Sequence, residues 1–168
     1  MAPTRRPAAG IAFLVGGLLI LINIVLSFTA PALAGWPVLL AYLALGIGFL
    51  VLALGEGLPL VPRLLLGVAG ASWLVTLLAF VVPVPIELVA LSALGGAIAG
   101  VAGAVLVVTG ARGSDRGAIA FLVATVLAAL MLVISAEWLG DFALLLVILV
   151  GGAFVLTGSL FLRPARAA

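Results

Sequence analysis

The chain has 168 residues, of which 67% are hydrophobic and only 7% are charged, and its mean hydropathy is +1.59. A soluble domain of this size carries about a quarter of its residues as charged side chains, so the composition excludes a mainly water-facing surface and predicts an integral membrane protein. Cysteine and histidine are absent, which excludes disulfides, thiolate ligands and imidazole as a base or metal ligand. The seven basic residues are all arginine and form no patch interleaved with aromatic residues, so nucleic acid is not an expected partner.

Six apolar stretches approach the roughly 20 residues that a helix needs to cross the hydrocarbon core of a bilayer. None of them alternates in polarity as the strands of a membrane barrel do. The sequence therefore predicts an all-α fold, a single domain over residues 1–168 in which hairpins at about 6–55, 63–110 and 116–163 form a six-helix transmembrane bundle. In chain order the stretches are Gly10–Thr29, Pro37–Leu54, Leu64–Val82, Leu88–Thr109, Gly117–Ile134 and Phe142–Leu162.

The arginines predict the direction in which each stretch crosses the membrane. With six spans, every arginine falls on the side of the two chain ends, whereas the loops on the other side carry Glu87, Glu137 and Asp141 and no basic residue. Positive charge marks the cytoplasmic side, so we expect both ends in the cytoplasm and the lipid bilayer as the main partner. The lysine-free, alanine- and glycine-rich composition suggests the cytoplasmic membrane of a bacterium. The arginines are Arg5, Arg6, Arg63, Arg112, Arg116, Arg163 and Arg166.

The first apolar stretch allows a second interpretation as a secretory signal. It follows two arginines and ends in Pro31–Gly35, which resembles a small-x-small cleavage site after Ala34. Its length of about 20 residues exceeds the usual apolar region of a signal, roughly 7–15 residues. The length favours a retained helix, and cleavage remains the alternative.

A three-fold pattern runs through the chain. Arg63, Arg112 and Arg163 recur about every 50 residues. In addition, a small residue stands four positions after the arginine that opens each hairpin, which is Arg6, Arg63 or Arg116. Because each hairpin begins on the same side, the pattern predicts parallel repeats about an axis along the membrane normal. The alternative is that any six-span chain with short loops looks periodic. The small residues are Gly10, Gly67 and Ala120.

The fourth stretch carries the clearest stripe of small residues at four-residue spacing. Lipid provides no hydrophobic drive between helices, so close approach depends on such residues. We expect the stripe to pack inside one chain; a homo-oligomer contact or a docking face for another membrane subunit is the alternative. The candidate packing residues are Ser92, Gly96, Gly100 and Ala104.

Polar side chains inside the predicted spans are few. Asn23, with Ser27 one turn later, and the pair Ser72 and Thr76 are the candidate polar intramembrane residues. An asparagine amide in lipid seeks a partner across helices or lines a wet cavity, and both uses stay open. No charge lies in the middle of a span and no nucleophile motif occurs. We expect no catalytic, cofactor or metal site, and therefore no enzyme.

Four glycine-bearing segments carry a resemblance to a known family: Gly10–Leu18, Leu64–Gly70, Leu94–Gly100 and Val150–Gly158. With the three tandem hairpins, they resemble the HdeD-type acid-resistance membrane proteins of bacteria. The third outer turn departs from the pattern because it lacks proline.

That resemblance implies a role in acid or envelope stress with no agreed catalytic activity. Glu87, Glu137 and Asp141 fit such a role as outward-facing groups, since carboxylates ordinarily titrate near about pH 4. Two other functions are compatible with the sequence. The first is a substrate-binding or accessory subunit of a transporter, for which Ala8, Ala12 and Gly16 offer a docking face. The second is a structural subunit of a larger membrane complex.

Overall fold

The computed structural model describes residues 6–55, 57–111, 115–133 and 142–163. Within these ranges all regular structure is helical, which agrees with the predicted all-α class and with six helices. A 3₁₀ turn at Pro31–Leu33 joins the first two. The helices are α1 (Arg6–Thr29), α2 (Trp36–Ala53), α3 (Leu60–Ala79), α4 (Ile86–Gly110), α5 (Arg116–Val133) and α6 (Phe142–Leu162).

Proline and glycine set the ends of several helices. Pro59 and Pro85 immediately precede α3 and α4 in extended conformations, and Pro37 lies in the first turn of α2, where a missing N–H costs nothing. Gly35 precedes α2 with φ at +99°, a conformation that favours glycine because it lacks a β-carbon. These residues turn the chain sharply between apolar stretches, so consecutive helices pack side by side.

The six helices form a closed ring. Each packs against its neighbours in chain order, and α6 returns to pack against α1. Neighbouring helices run antiparallel. In α1 and α2, for example, Gly16 contacts Leu45 whereas the earlier residue Phe13 contacts the later residue Gly48. The ring therefore encloses an interior that side chains from all six helices can reach.

The outer surface of the ring is apolar on all six helices. Five helices, all except α5, are long and apolar enough to cross a membrane, and the apolar part of α5 is shorter over the described residues. Large hydrophobic side chains that are exposed by 40% or more occur on every helix. Water-soluble monomers rarely expose contiguous apolar surface of this extent, so the surface is suited to contact with lipid. Examples are Ile11, Leu40, Val68, Ile98, Val123 and Leu145.

The described arginines gather at one end of the ring. We call this end, marked by Arg6, Arg63, Arg116 and Arg163, the arginine end; it lies where α1, α3 and α5 begin and α2, α4 and α6 finish. Among the charged residues that the structure describes, only Glu87 lies at the opposite end, in the first turn of α4.

Five phenylalanines fill the interior near the arginine end. The ring centre of Phe13 lies 5.4 Å from that of Phe49, 5.3 Å from that of Phe121 and 5.8 Å from that of Phe154. These separations fall in the range favoured by aromatic pairs. All five side chains are at least 96% buried. We refer to Phe13, Phe49, Phe121, Phe154 and Phe161 as the aromatic cluster.

Glycine pairs bring the backbones of α1 and α6 into direct contact. A β-carbon placed on Gly17 would lie 2.6 Å from the carbonyl oxygen of Gly151, and one on Gly158 would lie 2.5 Å from that of Gly10. Such distances are shorter than any carbon–oxygen contact allows, so only glycine fits. The two pairs are one helical repeat of seven residues apart, and they close the ring between its first and last helices.

Candidate functional site

A cleft occupies the interior of the ring between α2, α3, α4 and α5. Its volume is about 30 Å³, which is room for about two water molecules. Phe49 belongs to both the lining and the aromatic cluster. At about 1.5 Å per helical residue, the other lining residues lie about 13 to 26 Å from the arginine end, beyond the aromatic cluster. The lining residues are Tyr42, Phe49, Ser72, Trp73, Thr76, Ala93, Gly96, Ala97, Gly100, Thr125, Ala128, Ala129 and Leu132.

The cleft exists because α3 and α4 bring small side chains to the interior. The aromatic cluster draws its members from α1, α2, α5 and α6. Where α3 and α4 face the interior at the level of the cleft, Ser72, Gly96 and Gly100 stand instead. Close-packed interiors need bulk at each position, so this sector of the ring stays partly unfilled.

A tight polar contact joins α3 to α4 at the edge of the cleft. The hydroxyl of Ser72 donates a hydrogen bond to the backbone carbonyl of Ser92, and the two serine oxygens lie 3.4 Å apart. Gly96 faces Ser72 so closely that a β-carbon there would overlap the serine side chain. Thr76 donates to the carbonyl of Ser72 at 3.0 Å, within its own helix. The contact fixes the distance between α3 and α4 and hence the width of the cleft.

This contact predicts different outcomes for two adjacent glycines. We expect Gly96→Ala to lower the stability of the bundle by about 1–3 kcal/mol, the usual cost of overpacking, because the methyl group displaces Ser72. Gly95→Ala should cost nothing, since no atom lies within 4 Å of the added β-carbon. The midpoint of unfolding by sodium dodecyl sulfate, followed by far-ultraviolet circular dichroism, measures both. Equal midpoints for the two variants would contradict the contact.

The stripe of small residues predicted on α4 points into the bundle. Gly96, Gly100 and Ala104 are buried, and Gly100 faces Thr125 of α5 and Ala69 of α3. Ser92 is half-buried and accepts the hydrogen bond from α3. The three buried members are covered by helices of the same chain, so they are not available as a contact face for a second copy.

Tyr42 and Trp73 form an aromatic pair on one wall of the cleft. Their ring centres are 4.9 Å apart at an angle of 54°, and both side chains are half-buried. Neither the tyrosine hydroxyl nor the indole N–H donates a hydrogen bond to another described residue. In contrast, the hydroxyl of Thr125 is already used, because it donates to the carbonyl of Phe121 at 2.7 Å. Within the described part of the chain, neither the Tyr42 hydroxyl nor the Trp73 N–H is a fully buried atom that lacks a partner.

Asn23 lies outside the cleft and holds a loop. Its side-chain oxygen accepts a hydrogen bond of 2.8 Å from the backbone N–H of Gly35, so it ties α1 to the residue that precedes α2. Ser27 is exposed and donates to the carbonyl of Asn23 within α1. Of the four polar intramembrane candidates, Ser72 and Thr76 line the cleft and these two do not.

An ion pair joins α1 to the start of α5 at the arginine end. The Arg6 guanidinium donates to the Asp115 carboxylate, and the same group lies 5.5 Å from the ring centre of Phe161, a cation–π distance. The other carboxylate oxygen accepts from the backbone N–H groups of Gly117 and Ala118 at 3.0 and 3.2 Å. Asp115 therefore caps α5, in the way expected of Asp at a helix start, and binds the first helix as well.

These contacts change the acidity of Asp115. Partial burial acts to raise the pKa of the carboxyl, but the hydrogen bonds from Arg6, Ala118 and Gly117 and the positive charge of Arg6 outweigh it, so the pKa is lowered. A lowered pKa in the folded state means that the carboxylate contributes stability above the pKa of the unfolded chain. That contribution is lost as the pH falls through the folded pKa.

We expect Asp115→Asn to lower the melting temperature at pH 7 through loss of about 1 kcal/mol, the upper range for a partly exposed ion pair. Asparagine retains the cap, so the variant isolates the pair with Arg6. The difference from the parent protein should shrink below about pH 4 and vanish once Asp115 is protonated. Circular dichroism melts in a non-ionic detergent at several pH values measure this, and a difference that persists in strong acid would contradict it.

The three acidic residues predicted to face outward are only partly described. Glu87 is exposed in the first turn of α4, at the end opposite the arginines, where a carboxylate suits the positive end of the helix dipole. Glu137 and Asp141 lie outside the described residues. Within the described part of the chain, no group of three or more acidic residues is placed to hold a metal ion.

Comparisons of the chain with models of known families, with curated proteins and with solved structures find no match.

Proposed function

We propose that the chain is a non-enzymatic, multi-pass protein of a bacterial cytoplasmic membrane, with the arginine end in the cytoplasm. The observation that carries this proposal is the separation of charge along the ring. The described arginines stand at one end, Glu87 stands at the other, and the outer surface between them is apolar on every helix. Positive charge is retained on the cytoplasmic side of membrane proteins, which supports the direction.

Single cysteines test this orientation, because the parent chain contains none. Ala32 lies in the turn between α1 and α2, and Ala111 follows α4 at the arginine end. A membrane-impermeant maleimide applied to intact cells should label Ala32→Cys, and should label Ala111→Cys only after lysis. Labelling of both positions in intact cells would overturn the proposed topology.

We further propose a role in resistance to acid or envelope stress. Support comes from the resemblance of the glycine-bearing hairpins to HdeD-type proteins and from the exposed position of Glu87 at the predicted outer end. In the proposed orientation an acidic side chain meets the outer medium, whereas the described arginines face the cytoplasm. The two ends of the bundle would therefore be exposed to different acidity during acid stress.

Survival at low pH tests this role. The triple variant Glu87→Gln, Glu137→Gln, Asp141→Asn should change survival of the source bacterium in strong acid, with growth at neutral pH as the matched control. Deletion of the whole chain gives the upper limit of the effect. Unchanged survival of both strains would remove the stress role without affecting the membrane topology.

A further inference from the structure

We propose that the outward faces of α5 and α6 bind an anionic phospholipid at the arginine end, with its phosphate held by Arg116 and Arg163 and its acyl chains lying along the two helices. The inference rests on the proposed location in a bilayer, but not on the direction of insertion or on the stress role. Three features support it: the pairing of the charges at this end, the adjacency of the two arginines, and the apolar surface next to them.

The contacts at the arginine end leave two arginine side chains available. Arg6 is paired with Asp115, and the Arg63 guanidinium donates to backbone carbonyl oxygens of its own loop at 3.2 and 3.5 Å. Arg116 and Arg163 are exposed, and within the described ranges neither side chain forms an ion pair or a hydrogen bond. Four arginines and one aspartate therefore give the described part of this end a surplus of positive charge.

The acidic residue next to Arg116 in the chain already has its partners. One carboxylate oxygen of Asp115 accepts from Arg6, and the other accepts from the backbone N–H groups of Gly117 and Ala118 at 3.0 and 3.2 Å. Arg116 is the first residue of α5, where the helix dipole favours a negative charge over a positive one. Arg116 therefore does not stabilise its own helix, whereas its charge would favour an anion bound beside it.

The packing of α5 against α6 brings the two arginines to the same part of the ring. The helices are neighbours, and a β-carbon placed on Gly117 would lie 2.9 Å from the ring of Phe161. Arg116 precedes this glycine by one residue, and Arg163 follows the phenylalanine by two. Both arginines therefore stand within one helical turn of a single contact. Guanidinium groups bind phosphate oxygens through paired N–H donors, so two of them together suit a phosphate headgroup.

The surface next to these arginines is apolar and faces away from the bundle. On α5, Ile119 and Val123 are exposed and follow Arg116 by three and seven residues, so the three share one helix face. On α6, Leu156 is exposed and precedes Arg163 by seven residues, which again places both on one face. A soluble anion would not contact these faces, whereas the acyl chains of a phospholipid would cover them while its phosphate meets the guanidinium groups.

The surplus of positive charge selects among phospholipids. Phosphatidylcholine carries a quaternary ammonium group that cancels the charge of its phosphate, whereas phosphatidylglycerol keeps a net negative charge. Each arginine close to a membrane surface favours anionic lipid. The occupant that fits the two arginines is therefore an anionic lipid such as phosphatidylglycerol, and a zwitterionic lipid should bind more weakly.

Native mass spectrometry of the full chain in a non-ionic detergent measures the binding of single lipids. Parent and variant are mixed in one sample, where their masses distinguish them, and dioleoyl phosphatidylglycerol is added in steps. Arg116→Gln and Arg163→Gln should each weaken binding about five-fold, and the double variant should bind more weakly than either. Phosphatidylcholine with the same acyl chains should bind the parent and the double variant alike.

Arg63→Gln is the matched control for these variants. It removes the same charge from the same end, but it does so on α3, where the guanidinium already binds backbone carbonyls, so the affinity should stay close to that of the parent. Arg116→Lys should retain part of the affinity, because lysine keeps the charge but loses the paired donors. Circular dichroism melts check that every variant folds as the parent does.

Four results would overturn the proposal. The first is equal affinity of the parent for the two lipids, and the second is unchanged affinity in the double variant. The third is a loss in Arg63→Gln as large as that in Arg116→Gln, which would mean that net charge alone attracts the lipid. The fourth is displacement of the lipid by an equal concentration of glycerol phosphate, which would make a soluble anion the ligand. A detergent micelle has no inner or outer side, so a reversed result in the maleimide experiment would leave these measurements unaffected.

Discussion

Phe13→Ala should destabilise the bundle more than other single side-chain truncations in α1. Phe13 is fully buried and packs against aromatic rings of α2, α5 and α6. Truncation leaves a cavity, and the surrounding helices cannot collapse to fill it because other contacts hold them in place. We therefore expect the free energy of unfolding to fall by about 3 kcal/mol. In a bilayer most of this loss comes from missing van der Waals contacts, because lipid is as apolar as the protein interior.

Phe28→Ala on the same helix is the matched control for that prediction. Phe28 is 73% exposed and should meet lipid, so its removal should change stability by less than about 0.5 kcal/mol. The midpoint of unfolding in mixed micelles, followed by circular dichroism, compares the two variants. Equal losses would mean that the aromatic cluster contributes no more than a lipid-facing ring, and the assignment of the interior would be wrong.

Much of this fold follows from hydropathy alone. Long apolar stretches separated by proline, glycine and charge predict helices, and the helices occur where the stretches lie, with α1 and α3 beginning about one turn earlier than their apolar parts. Arg6 and Arg63 belong to those first turns. Charged residues there can remain in water while the backbone is already helical, so hydropathy alone places the start too late.

The aromatic cluster was missed, although the sequence carries a signal for it. Each of the five buried phenylalanines follows a glycine or alanine by three positions, whereas Val25, Leu77 and Leu139 stand three positions before the other three. Residues three apart share a helix face, so a small residue lets the neighbouring helix approach and the next phenylalanine reaches the interior. The small residues are Gly10, Gly46, Ala118, Gly151 and Gly158.

The cleft and the ion pair could not be predicted from the sequence. Tyr42, Trp73 and Thr125 come from three helices, and their meeting depends on the order of helices around the ring. Arg6 and Asp115 are 109 positions apart and both look like ordinary boundary residues. Only Ser72 and Thr76 gave a local hint, as hydroxyls in an apolar stretch, because a polar pair at that depth needs a partner or a cavity.

Gly17→Ala should open the ring between its first and last helices. The added methyl group would lie 2.6 Å from the Gly151 carbonyl oxygen and 2.7 Å from the Val155 backbone nitrogen. Backbone atoms cannot rotate away as a side chain can, so α1 and α6 must separate along their length, which also loosens the contact between Gly10 and Gly158. We expect a loss of about 3 kcal/mol, at the upper end for overpacking.

Gly152→Ala is the matched control, because no atom lies within 4 Å of its added β-carbon, and it should leave the unfolding midpoint unchanged. The double variant of Gly17→Ala with Gly158→Ala gives a sharper test. Both substitutions force the same two backbones apart, so once the first has separated them the second should cost less than it does alone. Strictly additive losses would mean that the two glycine pairs act independently, and that α1 and α6 are not held together as one rigid contact.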